Sequence, residues 1–349
     1  MEQIQTQERN GSLDLLRIIA MFMILSSHFF GWGGVVNKLT TRDLNYYIAM
    51  PIYFVCGIGN TLFFLLAGYF AKPPKLKKAL FIQRKTCFYA FLISLLVFCF
   101  GWNHDIGIGY VLKSLFPVIH NRYWFVSVYL ILYILSFVLI PGLESLSKTQ
   151  FLLVIGALLI HNTCIMDASL TLMEGLLAYT VGYYLKKFKP YENDKKVWIV
   201  SAYAVFMAVY VVERFVVRRL GIEHTLVDEG LRYALLLGAA VAMFSFFAKL
   251  NIQAKWASKI SGNVLSVYLI SACPAWAPVL YTKWLHIEAF CQEVWFVGYY
   301  LLLNVAIFAV CIFIDKAVTH VNNKEVSLIE KLVNKIVKKQ SKEENSKAE

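Results

Sequence analysis

Apolar residues in this chain come in repeated runs of about 18–25, each long enough to cross the roughly 30 Å of hydrocarbon in a bilayer. No other feature constrains the fold as much. A segment surrounded by lipid must satisfy its backbone polar groups internally, and a helix does so. The composition agrees, with 59% hydrophobic and 16% charged residues over 349 positions. A soluble domain carries about 25% charged residues. The mean hydropathy is +0.59. A soluble enzyme has nowhere to bury that much apolar surface. The fold class expected is therefore all-α, a polytopic membrane bundle.

The runs define ten expected spans, at about 13–35, 48–70, 79–100, 123–141, 150–166, 170–186, 196–213, 231–248, 263–281 and 293–314. Basic residues collect in the short loops between them. Lys72, Lys75, Lys77, Lys78, Arg84 and Lys85 follow span 2. Lys186, Lys187, Lys189, Lys195 and Lys196 follow span 6, and Lys249, Lys255 and Lys259 follow span 8. These loops alternate onto one side, which the positive-inside rule makes cytoplasmic. An even span count then puts both termini in the cytoplasm. The net charge of +12 is explained by these loops, so no nucleic-acid partner is expected. One loop runs against the pattern. Arg214, Arg218 and Arg219 follow span 7 on the expected outer face, offset by Glu213, Glu223, Asp228 and Glu229.

Residues 1–315 are expected to form the membrane domain and 316–349 a basic cytoplasmic tail. In that tail Ile329, Leu332, Val333, Ile336 and Val337 fall at helical spacing opposite Lys331, Lys335 and Lys338. This is either an amphipathic helix on the inner membrane surface or a solvated tail; Ser341 to Glu349 should be disordered. The polar start, Met1 to Gly11, shows no cleavable signal peptide. Seven cysteines without a CxxC pair read as small buried hydrophobes, with neither a disulfide framework nor a metal site.

Within span 1, Arg17 and His28 are eleven positions apart. Eleven residues of α-helix turn about 1100°, three full turns plus roughly 20°, and rise about 16 Å. Both side chains thus share one face, one near the inner membrane edge and one past the middle. Ionisable groups inside a membrane mark functional sites by default. Two readings stand for His28: a neutral imidazole that takes a proton from a hydroxyl, or a hydrogen-bonded link between helices. Two stand for Arg17: an anchor paired with Asp14 one turn earlier, or a permanent cation that holds an anionic donor.

Several stretches carry a resemblance. Leu13-Asp14-Leu15-Leu16-Arg17 with His28 eleven residues on is similar to the opening of the membrane acyltransferase family 3. Asn60 to Phe70 resembles the family's Phe-Phe-x-x-Ser-Gly stretch, with Ala67 where Ser is common. Phe81-Ile82-Gln83-Arg84-Lys85 resembles the basic run that opens its third helix. Tyr123-Trp124-Phe125 resembles its Trp-Phe motif entering helix 4. Ile260 to Ile270 resembles the stretch that usually reads into Tyr-Leu-x-His, but Ser271 stands in place of that His. The resemblance covers the whole chain. It implies an integral membrane O-acyltransferase that moves an acyl group, often acetyl from acetyl-CoA, onto a hydroxyl of an envelope or exported glycan. It implies no metal.

Carried over residue by residue, the resemblance makes His28 the essential acyl-transfer residue and Arg17 its partner on the donor side. Arg84 and Lys85 become candidates for the coenzyme A phosphates, with plain positive-inside charge as the other reading. Glu174, acidic and within span 6, is either an orienting partner of the imidazole or a structural hydrogen bond. In the outer loop before span 4, His120, Arg122 and Trp124, with Asn103, His104, Asp105 and Asn121, mix polar and aromatic groups. That mix suits either a sugar acceptor or an ordinary loop in the aromatic belt of a membrane. A different class also fits the frame: a secondary transporter or glycan flippase, which would show broken helices at matching positions in two halves. Gly57 and Gly59 near Pro51, and Pro274 with Pro278, are the places where such breaks would fall.

Overall fold

The computed structural model describes residues 11–164, 170–222, 226–250 and 252–319, and among these every regular element is helical. In chain order the main helices are α1 (Gly11–Trp32), α2 (Tyr46–Tyr69), α3 (Leu76–Cys99) and α4 (Trp124–Ser145). They continue as α5 (Lys148–Cys164), α6 (Leu170–Phe188), α7 (Lys196–Leu220) and α8 (Leu226–Ala248). The short α9 (Lys255–Ser261) and α10 (Val264–Ser271) precede a π-helical turn, Val279–Trp284, and the last described helix is α11 (Phe296–Thr319).

Among the described residues seven helices are long and apolar enough to cross a membrane: α1 to α4, α7, Gly230–Ala248 of α8, and α11. This is a multi-pass membrane protein. The other three expected spans look different. Helix α5 has 17 residues. Helix α6 has 19 but carries Glu174, Lys186 and Lys187. The stretch expected as span 9 is discontinuous: α10 stops at Ser271 after eight residues, and the chain turns through Pro274 and Pro278 before the π-helical segment. Proline supplies no N–H and disfavours α-helix in the residue before it, which kinks or breaks a helix. Helix α2 is not broken in this way. Gly57 interrupts it for one residue but keeps a right-handed helical conformation (φ −57°, ψ −25°).

Helix α1 is largely buried, with Leu13, Leu16, Ala20, Met21, Ile24, Leu25, Phe29 and Phe30 all in the core. It packs against α2, α8, α9 and α10. Helices α2 and α6 cross with their backbones in close approach. A Cβ on Gly68 would stand 1.9 Å from the Tyr179 carbonyl oxygen, and one on Gly182 would stand 2.0 Å from that of Leu65. Only glycine lets the two backbones touch there, as small residues do in membrane bundles.

Hydrogen bonds gather the three basic loops at the end of the bundle that holds Arg17. Lys186 Nζ donates to the Ala71 carbonyl (2.8 Å) past the end of α2. Lys187 reaches the carbonyls of Leu143 and Leu146 at the end of α4, and Lys249 those of Tyr191 and Glu192. Cations placed on terminal carbonyls offset the negative ends of those helices. Ser12 Oγ closes the same end, donating to the Leu250 carbonyl and accepting from the Ile252 amide.

At the opposite end the structure corrects one boundary. Helix α7 runs on to Leu220, so Arg214, Arg218 and Arg219 belong to its last turns and not to a loop. Arg218 clamps that end, donating to the Val36 carbonyl at 2.9 Å and to Met50 Sδ at 3.1 Å. Arg214 makes two 2.7 Å bonds to the carboxylate of its neighbour Glu213. Glu223, the side chains of Asp228 and Glu229, and the amphipathic pattern from Ile329 to Val337 lie outside the described residues.

Candidate functional site

A cavity of about 520 Å³ opens at the Arg17 end, between α1, α2, α3, α4 and the turn joining α9 to α10. Three exposed lysines, Lys72, Lys75 and Lys78, stand at its mouth. Among the described residues none of the three has a carboxylate partner. Lys78 Nζ lies 5.0 Å from the centre of the Tyr133 ring, whose hydroxyl accepts from the Lys75 amide (2.9 Å). Deeper, the walls become apolar: Phe63, Leu66 and Ala67 from α2, Phe125, Val126 and Leu132 from α4, and Val264 and Leu265 from α10. Ser136 and Tyr179, hydrogen-bonded to each other at 2.8 Å, are the polar pair within.

Arg17 borders this cavity and is held in place from two sides. Its Nη1 lies 3.1 Å from Asp14 Oδ1, and its guanidinium carbon lies 5.3 Å from the centre of the Phe70 ring. Asp14 is 3% exposed. It accepts from the hydroxyls of Ser258 (2.6 Å) and Ser261 (2.8 Å), which ties α9 to α1. The i, i+3 pair expected from sequence therefore forms, and it also presents the guanidinium to the cavity.

The basic pair on α3 divides. Lys85 lines the cavity, with Nζ 2.9 Å from Asp315 Oδ1. Asp315 also accepts from Tyr89 (2.8 Å) and Asn263 (2.6 Å), so one buried carboxylate joins α3, α11 and the turn before α10. Removing one partner of such a pair strands a buried charge and costs about 3–5 kcal/mol. Arg84, about 100° further round the helix, is exposed and does not line the cavity.

His28 lies beyond the cavity on the same face of α1. Arg17 and Met21 border the cavity; His28 does not. Its ring stands 5.9 Å from that of Tyr268 on α10, and Tyr268 stands 5.6 Å from Phe125, which forms the cavity wall. The rings of Phe125 and Tyr268 thus lead in sequence from the cavity wall to the imidazole. His28 Nδ1 is buried and has no hydrogen-bond partner among the described residues. Buried polar atoms are nearly always bonded, so an unsatisfied one calls for an explanation.

The remaining residues singled out in the sequence scatter. Ser271, where the family pattern has His, is buried and donates to the Val267 carbonyl of its own helix (2.6 Å). Glu174 has Arg232 as its charged neighbour. Its carbonyl accepts from Tyr233 (2.5 Å), and no hydrogen bond or ion pair joins it to His28 among the described residues. Arg122 lies over the Tyr110 ring at 3.6 Å, with its Nε buried and unbonded among the described residues. His120 is exposed, and Trp124 meets Phe125 edge-on at 6.0 Å. Between Arg122 and Trp124, the Tyr123 hydroxyl donates to the Leu269 carbonyl (2.8 Å) and pins the start of α4 to α10.

Four features carry little signal in the sequence. Lys72, Lys75 and Lys78 read there only as loop charge, although their three-residue spacing is visible. Asp315, expected just past the last span, is inside α11. Tyr268 gives no signal beyond its motif. A second, open cavity of about 810 Å³ lies at the His28 end, lined by Asn37, Thr40, Thr41, Tyr46, Tyr47 and Arg219 among others. Among the described residues no three His, Cys, Asp or Glu side chains gather as a metal would require.

A family model described as an acyltransferase domain, that of the acyltransferase 3 family, matches residues 10–316. The chain belongs to this acyltransferase family. No curated protein and no solved structure matches it.

Proposed function

We propose that this protein is an integral membrane O-acyltransferase. In this reading it takes an acyl group, most simply acetyl, from cytoplasmic acyl-CoA and places it on a hydroxyl of an envelope or exported glycan. The observation that carries the proposal is the cavity: cationic at its mouth, apolar within, and linked through the rings of Phe125 and Tyr268 to an imidazole whose buried Nδ1 has no bond among the described residues. An acyl-CoA has the matching polarity, with phosphates at one end and a thioester on a slender arm at the other. The membrane frame in this reading has ten spans, counting α5, α6 and the discontinuous α10 stretch, with both termini and the Arg17 end in the cytoplasm.

The residues divide the work by position. Lys72, Lys75 and Lys78 attract and hold the donor phosphates, and Arg17, fixed by Asp14, holds the phosphate or carbonyl next along the molecule. Lys85 contributes its charge while held by Asp315. The arm then lies along the apolar wall, and the rise of about 16 Å from Arg17 to His28 is near its reach. His28 takes the proton of the acceptor hydroxyl as that oxygen attacks the thioester carbonyl. The C–S bond breaks, and the imidazolium returns its proton to the leaving thiolate. A well-placed general base is worth about 10²–10⁴ in rate.

The test is a preparation of the protein in liposomes, given acetyl-CoA and membrane glycan, with acetyl transfer and free thiol both followed. His28→Ala should abolish transfer and leave the melting temperature unchanged; transfer that survives in a folded His28→Ala protein refutes the assignment. Solute uptake without consumption of acyl-CoA would favour a transporter. Gly57 stays helical within α2, so α2 supplies no break to match the one after α10.

A further inference from the structure

We infer that Tyr268 is the positioning residue that decides between transfer and hydrolysis, its ring keeping the thioester from His28 until an acceptor is in place. The inference rests on the proposed reaction and adds a residue to it. Three observations carry it. Tyr268 is 4% exposed, and its ring is the link between the cavity wall and the imidazole, 5.6 Å from Phe125 and 5.9 Å from His28. A third ring, Tyr123, stands 5.7 Å away and is fixed by its bond to the Leu269 carbonyl, so the Tyr268 side chain is packed on more than one side. Finally, α10 is only eight residues long and sits in the stretch that the turns through Pro274 and Pro278 break. It is preceded by the turn at Gly262 and Asn263 and followed by the proline-bearing turn and a π-helical segment. π-helical segments are rare and fall frequently at functional sites.

The chemistry explains why a barrier is useful. With an activated imidazole and a thioester in contact, water can replace the acceptor hydroxyl. Its oxygen attacks the carbonyl, His28 takes the proton, the C–S bond breaks, and the thiolate leaves with that proton. The products are a free carboxylic acid and CoA. Excluding water until the site is complete is a recognised use of closing elements. A ring that yields only when an acceptor occupies the far side would hold this leak down.

The experiment measures free thiol released from acetyl-CoA by the full-length protein in liposomes with no acceptor added. Tyr268→Ala should raise this leak at least about 10-fold over the wild type, while Tyr268→Phe, which keeps the ring, should stay within about twofold of it. The double variant His28→Ala with Tyr268→Ala should return to the wild-type leak, because the imidazole activates the water. If Tyr268→Ala does not fold, as judged by its melting curve, Tyr268→Leu takes its place. A folded Tyr268 variant without its ring and without a raised leak overturns the inference, as does a leak that persists in the double variant. Loss of the parent reading looks different: transfer by the wild type would then be absent, or would survive His28→Ala.

Discussion

The two ends of α1 carry the two ionisable residues that stand out in the sequence, and the protein treats them in opposite ways. At the Arg17 end the two half-buried cations that line the cavity, Arg17 and Lys85, are tied down. Arg17 has Asp14 and Phe70, Asp14 has two serine hydroxyls, and Lys85 has Asp315. At the His28 end the imidazole has an aromatic neighbour and a buried nitrogen with no bond among the described residues. A cation meant to hold a ligand gains from a fixed direction, and a partner carboxylate provides it. A base meant to accept a proton needs a lone pair that nothing else occupies. In the proposed reaction, that contrast is the one between a residue that positions and a residue that reacts.

The sharpest way to break this contrast is to remove the unbonded ring. His28→Gln keeps much of the volume and a polar end but cannot serve as a base. Acyl transfer should fall by about 10²–10⁴, with a melting temperature close to that of the wild type, since no hydrogen bond from the buried nitrogen is lost. A large loss of stability instead would show that His28 is a helix link and that both ends of α1 are structural.

Asp14 probes the other end, and the expected effect is on stability. Asp14→Ala removes the acceptor shared by Arg17, Ser258 and Ser261 in a setting 3% exposed. Leaving buried donors and a charge without that acceptor should cost about 2–4 kcal/mol, read as a fall in the melting temperature. The activity that remains in the folded fraction should show a weaker hold on acyl-CoA and an unchanged rate at saturation. An unchanged melting temperature would mean that the pair is ornamental and that Arg17 is oriented by Phe70 alone.

The two ends are unequally legible in sequence for a physical reason. Helical geometry alone puts Arg17, Asp14 and His28 on one face, so the i, i+3 pair and the shared stripe can be read from residue spacing. The span pattern can be read for the same reason, since apolar length is a local property. What Lys85 touches cannot, because Asp315 lies 230 positions away in sequence and only packing brings them together. Tyr268 is hidden likewise: a tyrosine in an apolar run has no mark that separates a barrier from filler. The broken stretch at 263–281 is half visible, as Pro274 and Pro278 announce a break but not where the short helix points. Glu174 shows the opposite failure. Its depth in the span suggests a partner for His28, yet depth fixes one coordinate out of three, and its charged neighbour is Arg232.

Arg17→Lys tests whether direction matters as well as charge. Lysine keeps the positive charge but loses the planar fork and most of the stacking on Phe70. The Michaelis constant for acyl-CoA should rise about 5- to 10-fold with little change in the rate at saturation. A variant indistinguishable from wild type would reduce Arg17 to a point charge, no different in kind from the lysines at the mouth.

Those lysines should give the smallest effect. Lys72, Lys75 and Lys78 are exposed, and charges in water are screened over about 8 Å at physiological salt. Single Lys→Gln changes at the three positions should each raise the Michaelis constant for acyl-CoA by about two- to threefold at low salt, with the rate at saturation untouched. The difference from wild type should shrink as salt is added, because what has been removed is long-range attraction and not a fixed bond. Arg17→Lys should keep most of its defect under the same titration, since it loses geometry that salt does not screen. If instead both defects fade together with salt, the Arg17 end is a diffuse basic funnel throughout, and the distinction between its held guanidinium and the exposed ammonium groups disappears.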